Sequence, residues 1–155
     1  MKLLMLPRYS RNGASSRLRT LQYLPHFQKA SIEVAVSSLF SDQYVANLYH
    51  NKNNVWQVFK GYFRRIWKLR SAGRYDLLFV EKEVFPWVPA WVELLFIPRG
   101  VKLILDYDDA VFHRYDESRF RIVRKFLGCK IDRLMRRADL VTAGNEYLAD
   151  RAIKA

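Results

Sequence analysis

Five short runs rich in aliphatic residues recur along the chain: KLLML (2–6), IEVAVSSLF (32–40), YDLLFVEKE (75–83), VKLILD (101–106) and ADLVTAG (138–144). Several lack the alternation of a strand with one wet face, so they suit strands covered on both sides. Segments with apolar residues three and four apart separate them, and this strand–helix rhythm implies α/β architecture: a Rossmann-like, doubly wound parallel sheet. Right-handed crossovers suggest the spatial order third, second, first, fourth, fifth, with the loops after strands one, three, four and five on one rim. Among the helices, Trp56, Phe59, Phe63 and Ile66 mark an apolar face expected to pack on the core. Phe120, Val123, Leu127, Ile131 and Leu134 mark another, on one long helix. No repeat, low-complexity segment or linker divides residues 1–155, which fit a single domain.

Several function classes drop out. Cys129 is the only cysteine, so there is no internal disulfide and no cysteine zinc site, which fits a reducing, cytoplasmic setting. The longest apolar stretch, VFPWVPAWVELLFIP, contains Glu93 and prolines and does not read as a membrane span. A dinucleotide site wants GxGxxG after the first strand, but only Gly13 is there, and no GxxxxGK[ST] exists. His26, His50 and His113 are scattered, so neither a metal nor a cofactor is expected.

Two loops carry candidate chemistry. In KLILDYDDAVF a buried strand runs into Asp106, Asp108 and Asp109, where ligands bind in parallel sheets, beyond the carboxyl ends of the strands. Neighbouring carboxylates repel, and a cationic or hydroxyl-bearing ligand makes use of them. In RNGASSR, Gly13 permits close backbone approach, Ala14, Ser15 and Ser16 are small, and Arg17 is the expected anion contact. The plainer readings are an Asp-rich turn and a Ser N-cap.

Taken in order, the GASSR loop, YDLLFVEKE, LDYDDAVF and ADLVTAGNEYLAD resemble the N-terminal half of a GT-B glycosyltransferase of the retaining, glycogen-synthase-like family 4. The resemblance implies one of two Rossmann-like domains, the one on the acceptor side, facing a nucleotide-sugar domain across a cleft. It implies Asp106, Asp108 and Asp109 as the catalytic carboxylates, with Asp108 and Asp109 at the acceptor and Asp106 catalytic or else bracing the turn, and Gly13, Ala14, Ser15, Ser16, Arg17, Glu81 and Asn145 as substrate contacts. The implied partners are a nucleotide-sugar donor and a glycan or lipid-linked acceptor. No two glutamates lie eight positions apart, so the family's E-x7-E donor pair is absent. The chain is expected to be truncated before the donor domain and inactive alone.

Two rivals stand beside this. LILDYDDAV also resembles the strand-D-x-D opening of haloacid-dehalogenase-type phosphatases, with Asp106 as nucleophile and Asp108 as general acid, although that opening belongs on a first strand. The other rival follows from charge. Twenty-seven Lys and Arg against 15 Asp and Glu give a formal net +12. Residues 56–74 hold six basic residues and no acid, and 114–138 hold nine against three. Such a field attracts polyanions. A nucleic-acid-binding module is disfavoured because the aromatics of 56–67 are expected in the core. A peripheral anionic-membrane contact is expected instead through helix 56–70, with Tyr62 and Trp67 at headgroup level and Arg64, Arg65 and Lys68 on phosphates.

Overall fold

In the computed structural model, which describes residues 1–155, the strands β1 (Lys2–Leu6), β2 (Glu33–Val36), β3 (Leu77–Glu81), β4 (Lys102–Tyr107) and β5 (Leu140–Ala143) form one all-parallel sheet. The spatial order is β2-β1-β3-β4-β5, which corrects the expected placement of the third strand outside the second. Composition explains the correction. β2 is EVAV, with no buried residue, and suits an edge, whereas β3 buries Leu78, Val80 and Glu81 and takes the place beside β1. Both orders satisfy right-handed crossovers, so handedness alone does not choose between them.

Eight α-helices connect the strands and a ninth follows β5: α1 (Ala14–Arg19), α2 (Leu24–Lys29), α3 (Asp42–Tyr49), α4 (Val55–Leu69), α5 (Ala90–Leu95), α6 (His113–Asp116), α7 (Arg121–Leu127), α8 (Lys130–Arg137) and α9 (Glu146–Lys154). Strand residues alternate between faces. Leu4, Leu6, Leu78, Val80, Leu103 and Leu105 meet Leu69 of α4, Ala90 of α5, Leu127 of α7 and Ile131 and Leu134 of α8 in one core. The opposite face presents Met5, Phe79, Asp106 and Thr142 beneath Leu18 and Arg19 of α1 and Phe27 of α2.

Two helices depart from the sequence expectation. The long helix breaks at Gly128–Cys129 into α7 and α8, so Leu127, Ile131 and Leu134 are buried while Phe120 stays exposed. The change in α4 is larger. Trp56, Phe59, Phe63 and Ile66 do not pack on the core, because α4 turns Gly61, Arg65 and Leu69 inward. A Cβ on Gly61 would overlap the Leu39 carbonyl oxygen, so only glycine allows the helix this close. Arg65 is fully buried and donates to the carbonyls of Pro7 (2.8 Å), Ser37 (2.9 Å) and Val84 (3.5 Å), which lie just beyond the ends of β1, β2 and β3. Burial, aided by neighbouring Arg64, pulls its pKa down to about 9.

Candidate functional site

The residues of the acidic turn and of the GASSR loop, 90 positions apart in sequence, converge at the carboxyl edge of the sheet. In register, Glu81 pairs with Asp106 and Asp106 with Thr142, so three polar side chains stand in a row across β3, β4 and β5. Helix α1 lies over this row. Its Arg19 follows Ser15 by four positions and Ser16 by three, so it lies on the same side of the helix as each of them.

Glu81 is wholly buried yet well supplied with donors. Ser16 Oγ donates to its Oε2 at 2.5 Å, and the Arg8 backbone N–H donates to the same oxygen at 3.1 Å. Ser16 Oγ in turn accepts from the Tyr9 N–H at 2.9 Å, which ties the loop to the start of α1. Gly13 precedes that helix for a steric reason: a Cβ there would overlap the Tyr9 Cβ and lie 2.8 Å from its Cγ.

Ser15 occupies the junction. Its Oγ lies 2.9 Å from Glu81 Oε1 and 2.8 Å from Asp108 Oδ2. A hydroxyl has one proton to donate, so two carboxylate oxygens compete for it and one is always short of a donor. Asp108 also meets Lys82, whose Nζ lies 2.8 Å from Asp108 Oδ1 and 2.5 Å from Asp109 Oδ2. Burial opposes the Asp108 charge, but the Lys82 ammonium beside it and the hydrogen bond from Ser15 outweigh it and hold the carboxyl below its ordinary range, with Oδ1 itself out of line for a hydrogen bond. Lys82 shows the complementary balance, raised by the two aspartates against the effect of burial. Its backbone has φ 66°, an uncommon conformation for a side-chain-bearing residue, held by its N–H bond to the Asp106 carbonyl.

Asp106 is engaged differently. Arg19 grips it with a two-pronged contact at 2.7 and 2.6 Å, and Thr142 Oγ1 donates to it at 2.6 Å. Thus Asp106 braces the turn, Asp108 bridges to α1, and Asp109 extends into solvent. The loop after β5 completes the rim, since a Cβ on Gly144 would lie 3.4 Å from the Asp108 Cα. A cleft of about 380 Å3 opens beside Ser15, walled by Tyr9, Gly13, Ala14, Leu48 and Tyr49.

Comparison of the chain with protein-family models, with curated proteins and with solved structures gives no match.

Of the residues singled out from sequence, Gly13, Ala14, Ser15, Ser16, Glu81, Asp106, Asp108 and Asp109 gather around the rim. Two do not join the cluster. Arg17 is exposed beside Arg11 and Gln28 in a separate cleft, and the cation that enters the cluster from α1 is Arg19 instead. Asn145 caps α9 by accepting the Leu148 N–H at 3.0 Å. Sequence reasoning missed Arg19, Lys82 and the engagement of Thr142 with Asp106. The first had a legible signal, its position one helical turn after Ser15 and Ser16. The strand pairing that brings Thr142 to Asp106, and the left-handed turn that aims Lys82, are tertiary.

A second buried charge cluster lies behind the rim. Lys130, Glu83 and Glu93 have fully buried side chains, and Lys130 Nζ lies 2.6 Å from Glu83 Oε2 and 2.6 Å from Glu93 Oε1. It donates to Glu83 and to the Phe85 carbonyl at 2.7 Å, while Glu93 Oε1 is out of line for a hydrogen bond. Burial pushes Glu93 up to about 7, against the pull of Lys130. Glu83 goes the other way: burial would raise it, but Lys130, Tyr115 and Arg8 together hold it below the ordinary carboxyl range. His113 also has acidic company, Asp116 at 3.1 Å and Glu117 at 2.9 Å, with the Tyr147 hydroxyl on its other ring nitrogen at 2.6 Å.

Proposed function

We propose that this chain is the acceptor-side domain of a GT-B glycosyltransferase, holding a saccharide hydroxyl at the Ser15–Glu81–Asp108 junction. The observation that carries the reading is the single Ser15 proton set between two carboxylate oxygens at the mouth of an open cleft. A sugar hydroxyl supplies the missing donor and, through its second lone pair, meets Lys82. The cleft's apolar wall of Tyr9, Leu48 and Tyr49, with Asn12 and Ser15 as polar groups in its lining, suits a ring with one greasy face and a polar rim. The resemblance of the GASSR, VEKE, LDYDD and TAGNE segments to that family supports the same assignment.

The electrostatics favour a particular role for Asp108. A carboxyl held below its usual range is a weak base, so it orients the acceptor hydroxyl and stabilises positive charge growing on the donor sugar more effectively than it removes a proton. Asp106, held by Arg19 and Thr142, has its oxygens already engaged, which weighs against its use as a phosphatase nucleophile.

The test is saccharide binding by the 155-residue chain, followed by saturation-transfer NMR over a panel of neutral and anionic oligosaccharides. Ser15→Ala and Asp108→Asn each remove a bond to a charged group, about 1.5–3 kcal/mol, so affinity should fall at least tenfold while the fold is retained. The chain alone should transfer no sugar from any nucleotide donor. Absence of binding across the panel, or undiminished binding in both variants, would reject the assignment; hydrolysis of a phosphomonoester would favour the phosphatase.

A further inference from the structure

All four tryptophans of the chain, Trp56, Trp67, Trp87 and Trp91, are between 54% and 68% exposed. A protein interior is where such side chains usually go, so their outward placement needs an occupant. Helix α4 concentrates the effect. Successive residues turn by 100°, so Trp56, Phe63 and Trp67 point within about 20° of directly away from the buried Gly61–Arg65–Leu69 stripe. Phe59 lies beside them, and the ridge runs roughly 16 Å along the helix. The helix is amphipathic with its apolar face reversed, toward solvent.

The same ridge is edged with cations. Lys60 Nζ lies 5.5 Å from the Trp56 ring and the Arg70 guanidinium 5.6 Å from the Trp67 ring. No acidic residue occurs from 55 to 75. The pattern repeats in the same helical layer, where Trp91 of α5 and Phe126 of α7 line one cleft with Lys125 and Arg133. There Lys125 sits 5.8 Å from the Phe126 ring, and Arg119 4.6 Å from Phe120. Residues 118–131 also contain no acid.

We infer that the outward face of α4, assisted by α5 and α7, docks on an anionic lipid surface with its aromatic side chains in the headgroup region. Aromatic rings with a polar edge favour the membrane–water boundary, and flanking cations meet lipid phosphates. Every charge from 55 to 75 is positive, which selects an anionic occupant for the ridge. The hollow among Trp56, Phe59, Lys60 and Phe63 has one cation in its lining, whereas single-stranded nucleic acid is tracked by a positively charged groove. The residues that make contact differ from those suggested by sequence alone. Arg65 is internal, Tyr62 packs on Phe85 and donates to the Pro86 carbonyl, and Lys68 donates to the Tyr75 hydroxyl. Arg64 is spent partly on the Ser38 and Leu39 carbonyls. The inference does not rest on the transferase reading, since it concerns a different face.

Flotation of the 155-residue chain with phosphatidylcholine vesicles, with and without phosphatidylglycerol, tests it together with tryptophan emission. The expected result is recovery with the anionic vesicles only, a blue shift of emission on binding, and partial loss at high salt. Phe63→Ser with Trp67→Ser should lower partitioning about tenfold or more and diminish the shift, and Lys60→Glu with Arg70→Glu should abolish recovery. These side chains are exposed, so thermal melting should be unchanged. The inference is overturned by absence of binding to anionic vesicles, by equal binding to neutral ones, or by binding indifferent to the aromatic pair. Lipid-free dimerisation, or binding of single-stranded RNA, that the same aromatic variants abolish would assign the ridge to a protein or nucleic-acid partner and equally overturn it.

Discussion

Replacing Lys130 by methionine isolates the buried charge cluster behind the rim. Methionine keeps the length of the side chain and its apolar stem, so it leaves little cavity. What disappears is the ammonium 2.6 Å from Glu83 and 2.6 Å from Glu93, all three side chains lying out of contact with water. Removing one partner of a fully buried ion pair costs about 3–5 kcal/mol, because the remaining charge is stranded in a medium that solvates it poorly. Arg8, 3.3 Å from Glu83, compensates in part and places the expected loss toward the lower end. Domains of this size lose roughly 2–4 °C of melting temperature per kcal/mol, so Lys130→Met should melt roughly 6–15 °C below wild type. Urea unfolding at neutral pH should show the same loss as a lower midpoint with an unchanged slope. Adding Glu93→Gln should restore part of it, since one stranded carboxylate is then neutral. A Lys130→Met protein within about 1 kcal/mol of wild type would refute the reasoning and mean that water or local movement solvates the carboxylates.

Glu93 makes a pH prediction of its own. Its folded pKa of about 7 lies above the ordinary 4.5, so between these values the folded protein keeps a proton that the unfolded chain has lost, and stability falls as pH rises across that window. The contribution is on the order of 3 kcal/mol, and Glu93→Gln should remove it, seen as a flatter dependence of the urea midpoint from pH 5 to 7.5 than in wild type. Gly13→Ala drives a methyl group into Tyr9 and should destabilise by about 1–3 kcal/mol, measured by thermal melting; an unchanged melt would mean that the Tyr9 loop yields freely. Arg19→Met removes both bonds from α1 to the buried Asp106 carboxylate and should destabilise by about 1.5–3 kcal/mol, measured by thermal melting, with no change indicating that Thr142 alone is sufficient.

The alternation of apolar runs with helical segments was enough to specify a parallel α/β sheet, because unbroken runs such as KLILD suit strands buried on both faces. It also placed Asp106, Asp108 and Ser15 on one rim, since every strand of a parallel sheet points its carboxyl end the same way. Strand order was not determined, because a right-handed crossover can pass over one strand or none; it was decided by the scarcity of buried surface on β2. The orientation of α4 was likewise invisible. Periodicity identifies an apolar stripe but not the direction in which it faces. Here the inward direction was taken by Gly61, which lets the backbones close, and by Arg65, the one side chain with enough donors to bond three carbonyls just beyond the strand ends at once. Lys130 reads in sequence as one more surface cation and is buried because two carboxylates from distant segments converge on it. Local sequence reports what each segment can form, while the pairing of buried charges depends on which segments meet, and only the assembled sheet fixes that.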